Sequence, residues 1–579
     1  MESGSQIAAP AATPKRGTSF WMVYISNLVV DMLTALDLTA VSTALPTIVS
    51  HLDGNDFIWA GSAYTIASTA VIPLVGNLVS GFGRKPVLLS FILAFALGSA
   101  VAGAAQSMNM LIAGRAIQGF GGGGCISITE IIYADMVPLP ERGKFQGIVA
   151  TVWALACAFG PLVGGAIANS GAWRWLFFLN LPLCGIAFPL TCVFLRVNTP
   201  KTSLREKMLQ IDWLGVSLVT ASTVAVLLAI TWGGLRFSWT SFHVLVPLVL
   251  GAVGVVGFFI AEYLWLKGPT VPRYFFTNRT TLSGYLGTFF HGIVSIVALY
   301  YLPVYFQASK GASAIGSGVD MIVFCCTIPV FAIVGGVSVQ IIKRYRPQNY
   351  IGWALMIAGF GVLSILDERS SRAEYIGCQV PLAIGLGIVW VSTQFPILAP
   401  LPFSNSAHAL AFFTFIRCFA QVRSSPSYNV PQSCHLETDR FAQLPQSWGI
   451  VIGGTILQAQ LLHDLPASFT AGLPQGVQIA YAAIPQIPAL HEPLRTEVRA
   501  AFAQATQLIW RIMAGISGAG LLSCLLMSEI RLREDSLDEK WGLKDEAETK
   551  EGVMSSSATI SAEPSDVELA QLQKASGGA

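Results

Sequence analysis

The sequence has few charged side chains: only 11% of its 579 residues are Asp, Glu, Lys or Arg, whereas soluble domains have about 25%. Hydrophobic residues make up 53% of the chain, and the mean hydropathy is +0.61. So little charge cannot cover a soluble surface, and most of the chain is therefore expected to face lipid or other apolar helices. The net charge of +2 and the absence of a basic run interleaved with aromatic residues argue against nucleic-acid binding.

The sequence also lacks the motifs of several enzyme classes. It has no GxxxxGK[ST] phosphate loop, no GxSxG nucleophile elbow and no paired histidine boxes, so it offers no recognisable site for nucleotide hydrolysis, acyl transfer or membrane metal chemistry. Its ten cysteines are scattered without a CxxC pair, which indicates neither a zinc site nor a disulfide framework. We therefore expect a protein that is not an enzyme, binds no metal or cofactor, and takes its energy from an ion gradient.

Apolar runs of about 20 residues recur along the chain, and each can cross about 30 Å of hydrocarbon as a helix. Fourteen spans are predicted, near 20–46, 57–80, 87–106, 110–133, 145–168, 175–195, 211–232, 242–266, 281–304, 314–341, 349–366, 375–398, 406–421 continued at 448–460, and 505–529. Lys and Arg concentrate in alternate loops, as at Arg84, Arg142 and Lys343. Because such loops stay on the cytoplasmic side, we expect both termini in the cytoplasm.

The thirteenth predicted span is interrupted. Residues 407–421 are apolar, 422–446 are polar and contain prolines, and the apolar pattern resumes at Ser447. The first part alone extends only about 22 Å as a helix, and a polar loop opening in lipid would leave backbone groups unsatisfied. Joining Gln421 to Ser447 restores one helix. Since valine codons begin with GT and one glutamine codon ends with AG, we interpret residues 422–446 as a translated, retained intron; a genuine insertion is the alternative.

Charged residues inside predicted spans are costly in lipid and are therefore functional candidates. Asp37 in the first span and Arg115 in the fourth are predicted at similar depths, so we expect them to form an ion pair that loads and releases a proton; a static structural pair is the alternative. Asn27, Asp31 and Thr34 are spaced i, i+4 and i+7, which places them on one helix face. We expect that face to line a polar cavity, and Asp31 is a second candidate for contact with proton or substrate.

Four further ionisable residues lie within predicted spans. Glu130 lies near the end of its span, which favours a structural role through snorkelling to the interface. His291 and Asp320 are the comparable groups in the second half, where a lone histidine more often packs than relays protons. Arg417 lies in the interrupted span.

Two motifs are rich in glycine. The turn between the second and third spans contains Gly76, Gly83, Arg84 and Lys85. Its glycines allow a tight turn, and its two cations either set topology or latch helix ends together. The fifth span contains Gly160, Pro161, Gly164 and Gly165, which permit close packing and a bend.

Five stretches together resemble the major facilitator superfamily, in particular its fourteen-span drug:proton antiporter branch. They are LDLTAVSTALP (36–46), GNLVSGFGRK (76–85), RAIQGFGGG (115–123), GPLVGG (160–165) and WRWLFFLNLP (173–182). The resemblance places Asp37 at the acid position of the first-span signature, links Arg115 to proton transfer, and identifies GPLVGG as a signature typical of exporters. Ser80 stands where the loop signature usually has an aspartate that helps to lock one conformational state.

The resemblance implies an all-α polytopic membrane protein with the major facilitator fold, that is, two six-helix bundles plus two extra spans. We expect a disordered cytoplasmic tail at 1–19, the first bundle at 20–195, a linker with the two extra spans at 196–266, the second bundle at 267–530 with a long outer loop at 461–504, and a disordered cytoplasmic tail at 531–579.

The resemblance also implies proton-coupled efflux of amphipathic small molecules, such as drugs, toxins or secondary metabolites, by alternating access to a central cavity. Candidate cavity residues are Asn27, Thr34, Tyr64, Gln118, Trp153, Tyr300 and Trp390, although membrane aromatics commonly pack or face lipid instead. The expected partners are a small-molecule substrate, protons and the lipid bilayer, for a monomer in the plasma membrane or, alternatively, the vacuolar membrane. The alternative hypotheses are proton-coupled import of a nutrient or iron chelate, a transport-inactive sensor, and a mis-spliced product.

Overall fold

The computed structural model describes residues 16–52, 58–196, 203–209, 211–233, 237, 239–264, 270–402, 405–421, 448–466, 469 and 483–532. Within this described part the structure is helical, and its only β-type pairing is an isolated bridge between Gly233 and Phe237. The all-α class expected from the apolar runs is therefore confirmed.

A first group of helices is formed by α1 (Thr18–Leu52), α2 (Ile58–Phe82), α3 (Arg84–Gly103), α4 (Met108–Met136), α5 (Leu139–Asn169), α6 (Trp175–Phe178) and α7 (Asn180–Phe194). α1 packs against α5 and α7, while α4 lies between α2 and α3. Gly119 and Gly123 of α4 lie against the backbone of α2, and Gly121 lies against α3, at positions where a Cβ would overlap the neighbour. The face of α4 that carries Arg115 is thus buried against neighbouring helices, which allows it to contain this charge.

Between the two main groups lie α8 (Leu204–Leu209), α9 (Trp213–Trp232), α10 (Phe242–Leu264) and α11 (Tyr274–Thr277). α9 and α10 pack on each other, and α9 also contacts α2. These two helices occupy the positions of the two extra spans.

A second group consists of α12 (Arg279–Ala308), α13 (Ala314–Asp320), α14 (Ile322–Ile342), α15 (Arg346–Leu363), α16 (Arg372–Gly377), α17 (Gln379–Ser392), α18 (Gln394–Leu398), α19 (Ser406–Gln421), α20 (Trp448–Asp464) and α21 (Leu494–Ser523), with short 3₁₀ turns at Ile484–Ala489 and Cys524–Leu526. α17 packs on both α14 and α15, and α12 packs on α19, α20 and α21.

Helices lie at all fourteen predicted positions, but several bounds differ. α1 continues past the predicted end at 46 to Leu52, and α21 begins at Leu494, inside the predicted outer loop 461–504. Among the described residues, ten helices are long and apolar enough to cross a membrane by length and composition. α4 is not one of them because its four consecutive glycines and its charges lower its hydropathy, and α19 and α20 have only 16 and 17 residues. The count of fourteen spans stays a prediction.

The interruption at 422–446 lies outside the described residues, as do the N-terminal residues before 16 and the tail after 532. The helices that flank the interruption end at Gln421 and begin at Trp448. The rings of Phe419 and Trp448 meet edge to face with centroids 5.9 Å apart, so the two helix ends are neighbours in space.

The two main groups meet closely at the end of the bundle where α1 begins. Gly143 of α5 lies against the backbone of Gly336 of α14, so neither position has room for a Cβ. On the other side, Gly76 of α2 faces the backbone of His408 of α19, and Nε2 of His408 donates to Oδ1 of Asn77 at 3.2 Å. These contacts close that end of the space between the groups; it is called the closed end below.

Candidate functional site

Asp37 and Arg115 form a buried ion pair between α1 and α4. Nη1 of Arg115 lies 2.6 Å from Oδ2 of Asp37, and the side chains are 2% and 0% exposed. The amide nitrogens of Gln118 and Asn180 donate to Oδ1 of Asp37 at 2.8 and 2.9 Å, and Gln118 accepts from Arg115 at 2.6 Å. The structure thus brings together the two residues that the sequence placed at similar depths, and their opposite charges are compensated within the protein.

The ring of Tyr64 separates this ion pair from a central cavity. The guanidinium carbon of Arg115 lies 4.4 Å from the ring centroid of Tyr64, a cation–π distance. Tyr64 also lines the cavity, and its hydroxyl has no hydrogen-bond partner among the described residues. A change in the charge of Asp37 can therefore act on the cavity wall through a single aromatic ring.

Asp31 lies in a separate polar pocket between α1 and α4. The hydroxyl of Tyr133 donates to its Oδ2 at 2.8 Å, and the hydroxyl of Thr129 donates to its Oδ1 at 3.0 Å. The partners described for its carboxyl group are hydroxyls rather than a cation, so Asp31 remains a candidate for binding a proton. It does not itself belong to the described lining of the cavity.

Another ion pair crosses from one group of helices to the other. Nη1 of Arg417 on α19 lies 3.9 Å from Oε1 of Glu130 on α4, and Gln146 donates to the same carboxylate. The guanidinium lies 4.4 Å from the ring of Trp390 and 4.3 Å from that of Phe413. Snorkelling was the wrong expectation for Glu130, because the side chain is buried between helices and turned towards Arg417.

A cavity of about 230 Å³ lies between the two groups of helices. Its lining from the first group includes Thr34, Tyr64, Thr65, Ser68, Thr69 and Trp153, and its lining from the second group includes His291, Ser295, Phe324, Trp390 and Gln421. Both groups contribute walls, so any relative movement of the groups must change the access to this space.

Four of the predicted cavity residues line this space, namely Thr34, Tyr64, Trp153 and Trp390. The other three are absent from its described lining. Gln118 instead faces α3, where it donates to Ser99 at 2.8 Å, and Tyr300 packs its ring on Tyr301. Asn27 is buried, and neither atom of its amide has a hydrogen-bond partner among the described residues. Of the polar face predicted for α1, Asp31 turns towards α4 and only Thr34 belongs to the described lining of the cavity.

Two parts of the lining were missed from the sequence. Thr65, Ser68 and Thr69 of α2 recur at i, i+3 and i+4, the spacing of one helix face, so their signal was present. His291 was expected to pack, but its ring lines the cavity, and its Nε2 lies 3.1 Å from the carbonyl oxygen of Leu386.

The fifth-span motif packs α5 against α1. A Cβ at Gly160 would overlap the side chain of Thr39, so this glycine permits the close approach expected from the sequence. The helix continues through Pro161 and Gly164 to its end. A Cβ at Gly165 would meet open space, so the expectation of close packing is wrong at that position.

The loop motif brings a positive charge to the end of α4. Gly83 adopts φ +85° before α3, a conformation that favours glycine. The next residue, Arg84, lies with its Nε 2.8 Å from Oδ2 of Asp135, and Lys85 donates to the carbonyl oxygen of Cys192 at 2.6 Å. Arg84 therefore has a buried acidic partner on another helix, although Ser80 replaces the usual aspartate of the loop signature.

Comparisons of the sequence with known proteins all identify the same family. The sequence profile of the Major Facilitator Superfamily matches residues 28–423. The chain is 35% identical to an MFS-type efflux pump, LUC4, of a Fusarium species over 549 residues, covering 93% of each chain. It is 32% identical to the efflux pump FUS6 of Gibberella fujikuroi, covering 94% of this chain and 95% of the relative. It is 36% identical to the MFS-type transporter ucsD of an Acremonium species, covering 94% and 90%.

Solved structures show the same fold. The human organic anion transporter MFSD10 superposes with a TM-score of 0.52 at 13% identity, covering 88% of this chain and 100% of the other. The proton:xylose symporter XylE superposes with a TM-score of 0.53 at 12% identity, covering 89% and 98%. At such low identity the likeness extends to the fold alone.

Proposed function

The chain belongs to the Major Facilitator Superfamily, and we propose that it is a proton-coupled exporter of amphipathic small molecules. Membership makes it a multi-pass membrane transporter rather than an enzyme, and its fold is the one that the sequence motifs imply. We propose a direction of transport, a coupling ion, and the residues that link the movement of this ion to the movement of the substrate.

One observation carries the proposal of proton coupling: a carboxyl group, Asp37, lies behind the cavity wall and is held by Arg115, which rests on the cavity residue Tyr64. Protonation of Asp37 would remove the charge that balances Arg115. The guanidinium would then lose its strongest partner and shift against the ring of Tyr64, because a buried unpaired charge is unfavourable. Proton binding and the shape of the cavity would change together.

The direction of transport is supported by the relatives. LUC4 and FUS6 are named efflux pumps, and Gly160, from the signature typical of exporters, packs α5 closely on α1. Proton-coupled import is the second candidate, since the same fold occurs in the symporter XylE. The direction in which substrate moves across the membrane of oriented vesicles distinguishes export from import.

We also propose that the closed end faces the cytoplasm. Arg84, Arg142 and Lys343 belong to the helix ends and turns on this side, and positive charge concentrates on the cytoplasmic side of membrane proteins. Both termini would then be cytoplasmic. The proposed setting is a monomer in the plasma membrane, with export by alternating access between the two groups of helices.

The test uses the full chain in a pump-deficient yeast host challenged with a panel of hydrophobic toxins. For a toxin that the wild type resists, adding it to inside-out vesicles should discharge an imposed pH gradient, reported by entrapped pyranine. Asp37→Asn should abolish both resistance and discharge, while membrane insertion is kept. Asp320→Asn is the matched control, because Asp320 also pairs with an arginine, but one that is 63% exposed.

Two outcomes would contradict the proposal. Full resistance and discharge in the Asp37→Asn variant would remove Asp37 from the coupling step. Movement of the toxin out of the vesicles, together with protons, would replace export by import.

A further inference from the structure

The cavity lacks fixed charge in its described part. Its lining contains threonines, serines, cysteines, aromatic and aliphatic residues, His291 and Gln421, but no Asp, Glu, Lys or Arg among the residues that the structure describes. The ionisable residues nearby have partners within the protein: Asp37 is paired with Arg115, and Glu130 with Arg417. A charged molecule entering this space would find no counter-ion among the described lining residues.

Three threonine hydroxyls of the lining donate their hydrogens to their own helices. Thr34 donates to the carbonyl oxygen of Asp31 at 2.9 Å, Thr65 to that of Ser62 at 3.1 Å, and Thr69 to that of Thr65 at 2.9 Å. A hydroxyl that donates to its own helix still has lone pairs. These three groups therefore present acceptors to the cavity and not donors.

The second group of helices adds acceptors in the same way. Ser295 donates to the carbonyl oxygen of Gly292 at 3.1 Å and accepts from Nε2 of Gln421 at 2.9 Å, so one of its lone pairs remains. The carbonyl oxygen of Leu386 can only accept, so the contact at 3.1 Å requires the hydrogen on Nε2 of His291, which leaves Nδ1 of the neutral ring as an acceptor. The lining also contains donors, namely the unpartnered hydroxyl of Tyr64, the hydroxyl of Ser68 and the indole N–H groups of Trp153 and Trp390.

From this lining we infer that the transported molecule is uncharged, has an apolar body, and contributes hydroxyl or N–H donors of its own to the threonine face of α2. The inference rests on the proposed export function and specifies its substrate class. Trp153 and Trp390 supply flat apolar surface for the body of such a molecule, since aromatic side chains favour stacking. The threonine and histidine acceptors then select molecules that can donate.

The experiment compares three tritiated probes that share one ring system: 2-naphthalenemethanol, its methyl ether, and (2-naphthylmethyl)trimethylammonium. Binding to the purified full chain in lipid nanodiscs should be tightest for the alcohol. The ether should bind about five- to tenfold more weakly, since it lacks the donor. The ammonium ion should bind at least about 100-fold more weakly, since it must shed water without gaining a counter-charge.

Variants test which residues produce the preference for the alcohol over the ether. In Thr65→Val/Thr69→Val the affinity ratio of alcohol to ether should approach one, while the ether binds as before. Thr506→Val is the matched control, because Thr506 also donates to its own helix, at 3.1 Å to the carbonyl oxygen of Phe502, but lies outside the cavity lining. It should leave the ratio unchanged.

Equal or tighter binding of the ammonium ion would overturn the inference, and so would binding of none of the three probes. A ratio of alcohol to ether that survives in the double variant would also overturn it. The proposed function fails separately: the alcohol would then bind with the expected preference, but a pH gradient would not drive it across the membrane of inside-out vesicles.

Discussion

Gly336→Ala should loosen the closed end of the bundle. In the structure the Cα of Gly336 on α14 lies against the backbone of Gly143 on α5. A Cβ at either glycine would overlap the backbone of the other helix. A neighbour made of backbone cannot rotate away as a flexible side chain can. The two groups of helices must therefore separate at this contact if a methyl group is added.

The magnitude follows from the cost of overpacking, which is about 1–3 kcal/mol for an added group in a well-packed interface. The penalty applies only while α5 and α14 are in contact, so it raises the free energy of the closed arrangement and not that of an arrangement in which the groups have parted. A difference of that size shifts the ratio of the two arrangements by about 5- to 150-fold.

The change in the ratio of closed to open arrangements can be measured by labelling two native cysteines. Cys157 and Cys325 line the cavity, which lies deeper in the bundle than the Gly143–Gly336 contact. In inside-out vesicles, an impermeant maleimide should label them faster in Gly336→Ala than in wild type, as measured by site-resolved mass spectrometry. Gly361→Ala is the control, because a Cβ at this helix glycine meets no atom within 4 Å, and its labelling rate should match that of wild type.

The reasoning would be refuted if Gly336→Ala inserted and folded with an unchanged labelling rate at both cysteines. Gly143→Ala adds the methyl group from the other side of the same contact and should reproduce the effect. Agreement between the two variants would exclude a defect specific to α14.

Three further predictions concern charges and the interruption. Asp135→Asn leaves Arg84 buried without its carboxylate, so we expect transport to fall at least about tenfold and thermal stability to drop. Ser80→Ala should behave as wild type in both assays, because the described hydrogen bond of this hydroxyl is to the carbonyl oxygen of Gly76 on its own helix. Asp320→Asn should keep transport but lower stability by about 1–3 kcal/mol: water can solvate the exposed arginine, whereas the buried hydroxyl of Tyr375 loses its carboxylate acceptor. A loss of transport would contradict this. Deleting 422–446 should raise the melting temperature of the purified protein in nanodiscs and keep transport, and an unstable product would favour a genuine structural insertion.

Residue counting along predicted spans could locate Asp37 and Arg115, because charges in membrane-length runs are rare and each residue of a helix adds a fixed rise. It could not find Asn180 as a partner of Asp37. That contact joins α1 to α7, and it depends on how the helices rotate about their axes when they pack. Helix rotation is set by side-chain fit over the whole bundle and not by any local pattern.

The Glu130–Arg417 pair also could not be predicted from a local sequence pattern. The two residues lie 287 positions apart and on different groups of helices. Hydropathy places each in a span but does not say which spans face each other. The close contacts of α5 with α14 and of α2 with α19 decide that arrangement, and they depend on glycines that look unremarkable among 55 in the chain.

The helices on either side of the interruption both contact α12. Ala420 lies beside Gly292 of this helix, Gly449 beside Ile293 and Ile296, and Gly453 beside Tyr301. If residues 422–446 are left out, Gly449 is the fourth residue after Ala420 and Gly453 the eighth, and the side chains they contact, Ile296 and Tyr301, lie four and nine residues beyond Gly292. Two helices lying side by side advance at the same rise per residue, so α19 and α20 are placed as one helix would be. The described contacts therefore do not require residues 422–446, which is why deleting them is expected to preserve the fold.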